Sequence, residues 1–312
     1  MTFKIFAKVI ALALTASLMA GPALAQPKPL VLGHVATAEI AGAFMASSEG
    51  YFKDAGLPVE LKLIPLNPSM PPALQSGAVQ VATITSTTFL QAVDGGLDLV
   101  VIAEGSVGAK TSKNFAAFAR NGSGIQKPQD FVGKKVGVPG VGAILHVWFR
   151  KWLALNGVDA KRVTFVESGF PQHPDLIRGG SVDAVITAEP MLGRMLESNT
   201  GYVVTSMVSN FEQPMPIFYY VSTRDYAKAN PDVIAKFREA LKKGIAFAEA
   251  NPDQTKVQIA RFTGLPPDVA AKIPMPQLVT ARDPATLAAT IAMMREQGML
   301  RTNPEVGRLY AQ

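Results

Sequence analysis

The chain has 312 residues, 48% hydrophobic and 17% charged, with 30 basic and 24 acidic side chains and a formal net charge of +6. It has no cysteine, which excludes disulfides, thiol nucleophiles, cysteine-ligated zinc and iron–sulfur clusters. Its basic residues are dispersed and no aromatic residues interleave with them, so no nucleic-acid surface is expected.

Lys4 and Lys8 form a basic head, Val9 to Ala20 an uncharged apolar run, and Ala23-Leu24-Ala25 a small-x-small cleavage pattern. Residues 1–25 are therefore expected to be a signal peptide, cleaved before Gln26. The run falls short of the ~20 residues a membrane-crossing helix needs, and every later segment is interrupted by charge, Pro or Gly. Export as a soluble protein is expected, and with no cysteine to carry a lipid, the periplasm is the expected compartment. Cleavage removes Lys4 and Lys8 and lowers the net charge from +6 to +4.

The remaining length exceeds one typical core, so two lobes are expected. Apolar strand-like runs alternate with amphipathic stretches, the βα pattern of covered, mainly parallel sheets. Strands are predicted at 30–35, 59–65, 79–84 and 99–103, with helices at 40–55 (ending at Gly56), from 71 to 77, and at 87–95. The run 114–120 is extended, followed by a short helix at 129–132, a strand at 135–138 and a helix at 144–156. Strands at 164–167, 184–187 and 202–205 then alternate with helices at 174–179 and 190–198, and 217–223 is again extended.

The tail is helical. Asn230-Pro231, Asn251-Pro252 and Asn303-Pro304 each read as a cap followed by a proline in the first turn. Val233, Phe237, Leu241 and Ile245 form an apolar stripe at four-residue steps. The extended runs at 114–120 and 217–223 are expected to cross between lobes. That divides the mature chain into 26–116 (lobe I, first part), 117–218 (lobe II, inserted) and 219–312 (lobe I, return). Two such connections make a hinge.

Glu49 to Leu61, Leu74 to Gln80, Asp130 to Val138, Leu176 to Ala184 and Glu189-Pro190 resemble, in that order, segments of the nitrate/sulfonate/taurine and thiamine-precursor (NMT1/THI5-like) solute-binding family. The resemblance implies an α/β, two-lobed, type II periplasmic-binding-protein fold. It also implies an ABC permease and ATPase as partners, with the binding protein itself a monomer. By their own chemistry these segments are mostly scaffold, as at Gly56, a left-handed helix stop.

In open α/β sheets, ligands sit beyond the carboxyl ends of strands, and five loops qualify. The first holds Thr37 and Ala38. The second is Thr85, Ser86 and Thr87, hydroxyls that serve either a ligand or the helix start. The third, Gly140, Val141, Gly142 and Ala143, precedes a helix and suits an anion. Sulfonate-binding relatives carry hydroxyl residues at this third loop, and this chain does not. Phe170 lies in the fourth. Glu189 in the fifth would repel an anion and suit an amine or an N–H-bearing ring; taurine-type relatives commonly hold an acid there. Phe211, Met215 and Phe218 are candidates for apolar walls.

No G-x-S-x-G elbow exists, and Gly105 to Thr111 departs from a phosphate loop in spacing and at Ala109. His34, His146 and His173 show no metal-ligand spacing, so neither metal nor cofactor is expected and an enzyme is disfavoured. The expectation is capture of a solute by cleft closure. A small organic anion (sulfonate, taurine-like or carboxylate) at the third loop is narrowly preferred over a heterocycle such as a pyrimidine at Glu189. A sensory module remains an alternative.

Overall fold

The computed structural model describes residues 29–210 and 213–311. The expected signal peptide and Phe211 lie outside the described residues. The first group of elements is β1 (Leu30–His34), α1 (Ala41–Ser48), α2 (Tyr51–Asp54), β2 (Val59–Leu63), α3 (Met70–Gln75), β3 (Val81–Thr85), α4 (Ser86–Asp94) and β4 (Leu99–Gly108). The second is β5 (Phe115–Arg120), β6 (Lys135–Val138), α5 (Ile144–Leu155), β7 (Thr164–Glu167), α6 (His173–Arg178), β8 (Ala184–Ala188), α7 (Met191–Glu197) and β9 (Gly201–Thr205). The last is β10 (Met215–Thr223), α8 (Arg224–Ala229), α9 (Pro231–Ala250), α10 (Pro252–Thr263), α11 (Pro267–Ala270), β11 (Gln277–Leu278) and α12 (Pro284–Glu296).

Two sheets result, one per lobe, with the orders β2-β1-β3-β10-β4-β11 and β7-β6-β8-β5-β9. Each keeps three parallel strands, β2-β1-β3 and β7-β6-β8. Both sheets are nonetheless mixed rather than mainly parallel. β10 runs antiparallel to β3 and β4, and β5 antiparallel to β8 and β9. These are the strands reached from the other sheet without a helical crossover, and parallel pairing requires such a crossover.

The runs expected to cross between lobes are thus ladder strands. The chain leaves the first sheet after Gly108 and joins the second at Phe115, then leaves it after Thr205 and rejoins the first at Met215.

β4 is twice its expected length. Glu104, Gly105 and Ser106 break its apolar run, yet all ten residues lie along β10. Gly105 is needed there, because a Cβ would come within 2.6 Å of the Phe218 carbonyl oxygen at a bulge in the pairing.

The helix expected at 40–55 is two helices, divided at Gly50, whose φ of 79° no helix interior accepts. The asparagines before Pro231 and Pro252 do not cap the helices that follow. Their amides turn back and donate to the Tyr226 and Phe247 carbonyls of the preceding helices. No α-helix starts at Asn303-Pro304; a single 3-10 turn, Val306–Leu309, follows.

The long helix α9 packs on α1 through Ile234, Phe237, Leu241 and Ile245, with Val233 only half-buried. The contact is close enough that a Cβ on Gly244 would lie 2.3 Å from the Gly42 carbonyl oxygen. Gly244→Val is therefore expected to lower the unfolding free energy by ~2–3 kcal/mol through overpacking. Urea denaturation reads this directly. An unchanged midpoint would mean the two helices separate at no cost.

Candidate functional site

All five predicted loops meet where the two lobes face each other. After β1, the Thr37 hydroxyl and the Ala38 N–H both donate to the Glu189 carbonyl oxygen, at 3.3 and 3.2 Å. After β3, Thr85 caps α4 and points its N–H and hydroxyl at Asn67 Oδ1, 3.0 and 3.2 Å away. Ser86 donates to the Pro216 carbonyl at 2.7 Å, and Thr87 to the Gly142 carbonyl across the lobes at 2.8 Å. Two ion pairs flank these contacts, Lys151–Glu296 at 2.7 Å and Lys272–Glu197. The lobes are closed upon one another.

The third loop does not offer the anion site expected of it. The Val141 N–H donates to Glu167 Oε1 at 2.7 Å, the Gly142 N–H to His146 Nδ1 at 2.9 Å, and the Ala143 N–H to the Gly140 carbonyl at 3.1 Å. An amide that already serves the protein is not free to hold an anion. Because His146 accepts through Nδ1, its ring is neutral, and burial with Arg150 close by pushes it down to about 4. His173 is structural as well, bonded to Thr187 at 2.9 Å and to the Ser168 carbonyl at 3.1 Å. Val141 is half exposed.

Phe170 lines a small apolar void between the lobes, together with Phe115, Phe218, Ile144, Thr37 and Asn67. The void measures about 20 Å³, room for roughly one water. Admitting a ring-sized solute requires the lobes to part. Met215 is buried at the start of β10, opposite Gly108, and does not line the void. Ile217 and Phe218, further along the strand, do.

Glu189 follows β8, joined to Pro190 by a cis peptide, and is 5% exposed. Its Oε2 accepts the Gly193 N–H at 3.0 Å, so part of its role is to hold the start of α7. Burial pushes its carboxyl up to about 7. Its counterpart from the other lobe is Glu39, which the sequence reading missed. Glu39 is 1% exposed, and neither of its oxygens has a hydrogen-bond partner.

Burial pushes the Glu39 carboxyl up to about 8, and the charge of Glu189 adds to the rise. Ser106 and Asn114 are its polar neighbours, near enough to relieve some of this without bonding at normal geometry. Neither glutamate forms an ion pair among the described residues. A signal for Glu39 was present in the chain, since it is the single Asp, Glu, Lys or Arg between residues 31 and 48. Two buried carboxyls without a counter-cation, one from each lobe, are thus near enough to feel one another's charge. Such a pair is stabilised by a ligand bearing N–H donors or positive charge.

Comparison with known proteins agrees with this architecture. The model of the family described as NMT1/THI5 like matches residues 37–255. Over 215 residues the chain is 26% identical to a protein of Halalkalibacterium halodurans named as a formylaminopyrimidine-binding protein. That match covers 68% of this chain and 63% of the relative's own length.

Among solved structures, the alkanesulfonate-binding protein SsuA from Xanthomonas axonopodis pv. citri, bound to MOPS, superposes with a TM-score of 0.77 at 18% identity. The superposition covers 92% of this chain and 99% of that one. The periplasmic nitrate-binding protein NrtA from Synechocystis PCC 6803 gives 0.74 at 14% identity, covering 89% and 83%. At these identities the structural matches speak for the two-lobed fold alone.

Proposed function

This chain belongs to the NMT1/THI5-like family, and on that footing we propose that it is the exported, periplasmic solute-binding component of an ABC importer. In this reading a permease and an ATPase are its partners. The solute is a small nitrogen heterocycle or amine, an aminopyrimidine being the type, which bridges Glu39 and Glu189 while its ring lies against Phe170 and Phe218.

The observation that carries this is the pair of buried carboxyls without a counter-cation, contributed one from each lobe. It reverses the preference for an organic anion drawn from the sequence. That preference rested on the ligands prevailing in the family and on the Gly140–Ala143 amides, three of which are engaged within the protein. The name of the Halalkalibacterium relative supports the same ring class.

Closure follows from differential affinity, because only the closed state brings Glu39 and Glu189 to the same solute. The lobes part, the solute docks on one acid, and closure brings the other acid to it.

A thermal-shift and calorimetry panel tests the proposal with aminopyrimidines, primary amines, taurine, alkylsulfonates, nitrate and aromatic carboxylates. A solute binding only the folded state at a hundred times its Kd adds ~2.7 kcal/mol of stability. The expected hit is an aminopyrimidine or amine, with Glu189→Gln weakening it at least tenfold, ~1.4 kcal/mol. Shifts confined to sulfonates or nitrate would sink the heterocycle reading and return the anion to first place.

A further inference from the structure

The edge of β4 turned away from β10 is covered in two places. Tyr310 bridges Val101, and β11 pairs with Ser106 and Val107. Residues 102–104 have no strand alongside on that edge among the described residues. A cavity of about 450 Å³ opens there, walled by β4, α9, residues 280–282 and the Tyr310–Ala311 segment. This is the size of small-molecule pockets, ~300–1,000 Å³.

Three cations line it, Arg238, Lys242 and Arg282, against Glu104 and Glu239. None of the three forms an ion pair among the described residues. Arg238 is anchored on backbone, donating from Nε to the Ile102 carbonyl and from Nη2 to the Ala311 carbonyl at 3.5 Å. Arg282 lies over the Tyr310 ring, 3.7 Å from its centroid. Burial and the like charge of Arg282 both push the Arg238 guanidinium down, so the two guanidinium groups repel one another.

Glu104 is 7% exposed and lines the same cavity; its carboxyl and the buried Tyr310 hydroxyl are close enough to interact, though Oε1 and the hydroxyl do not bond at normal geometry. The charged and titratable groups facing Glu104 are Tyr219, Tyr310, Arg282 and Asp283. Burial pushes its carboxyl up to about 7.

We propose that this cavity is a second ligand site, taking a small oxyanion (carboxylate, phosphate or sulfate) between Arg238 and Arg282 with Lys242 at the rim. Planar guanidinium forks match oxyanions in bidentate geometry, which an ammonium does not. Every wall belongs to the first sheet and the helical return, so occupancy needs no closure of the lobes. The site is separate from the carboxyl pair of the cleft and of opposite electrostatic character.

The test is calorimetric titration of the purified protein with inorganic phosphate, sulfate and succinate, at ionic strength held constant with sodium chloride. At least one is expected to bind saturably, and the one that does distinguishes inorganic from carboxylate anions. Because Arg238 also anchors backbone, the variant used is Arg282→Gln with Lys242→Gln, both exposed, with a thermal melt confirming its fold. Affinity in the double variant is expected to fall at least tenfold. Absence of saturable binding by all three anions, or undiminished binding by the folded double variant, overturns the site.

Discussion

Glu39→Gln is expected to raise the melting temperature of the unliganded protein by ~5–10 °C at pH 8, and to weaken aminopyrimidine binding at least hundredfold. The two effects have one origin. In the folded protein the Glu39 carboxyl is pushed up to about 8 from an ordinary value of 4.5, chiefly by burial. The folded state therefore holds more protons than the unfolded chain between those two values. Stability is fully present below pH 4.5 and is lost as pH rises toward 8, the opposite of the salt-bridged carboxylate.

At pH 8 this costs roughly 4 kcal/mol, at ~1.4 kcal/mol per tenfold. A domain of ~150–250 residues gains ~2–4 °C per kcal/mol, and part of the gain is lost because the new amide also lacks partners. The check is a pair of melts at pH 5 and pH 8, wild type against variant. An equal difference at both would show that Glu39 is not held in strained protonation, and the carboxyl pair would lose its claim to the site.

Gly140→Val is expected to lower solute affinity at least hundredfold by holding the lobes apart. Gly140 has φ 147°, and a Cβ there would stand 2.5 Å from Cδ of Pro68, which belongs to the other lobe. Proline is rigid, so the loop must withdraw rather than the ring yield. Gly142, beside it, has φ 85°, with its Cβ position 2.3 Å from Gln91 Oε1, the movable end of a side chain. Gly142 is the more forgiving of the two.

Backbone strain alone must be separated from obstruction, and Gly133→Ala does this. Gly133 has φ 76° and nothing within 4 Å of its Cβ position. Solution scattering should show Gly140→Val more open than wild type in saturating solute, with Gly133→Ala closing normally. Equal losses of affinity in the two variants would assign the effect to strain and remove the obstruction argument.

The reach of the sequence can be read from particular elements. The strands at 135–138 and 164–167 were legible to the residue, because short apolar runs between Gly and charged punctuation carry their own boundaries. The family was legible too, from short segments spread in order along the chain. β4 beyond Ala103 was not legible, since Glu104 and Ser106 read as surface until β10 covers them.

The candidate site divides in the same way. That the loops after β1, β3, β6, β7 and β8 would converge followed from the alternation of strands and helices, which puts all five at one end of their sheets. Which groups those loops leave free did not follow. The Val141 amide is satisfied by Glu167, 26 residues on, and the Thr37 hydroxyl by the carbonyl of Glu189, 152 residues on. Hydrogen bonds at such separations leave no periodicity and no spacing for a linear reading to find. The order of elements and the two-lobed class were already specified by local patterning and chain order. That the third loop's amides are engaged, and that Glu39 and Glu189 are buried without a cation, came from the tertiary structure alone, because satisfaction of a polar group depends on its neighbours in space.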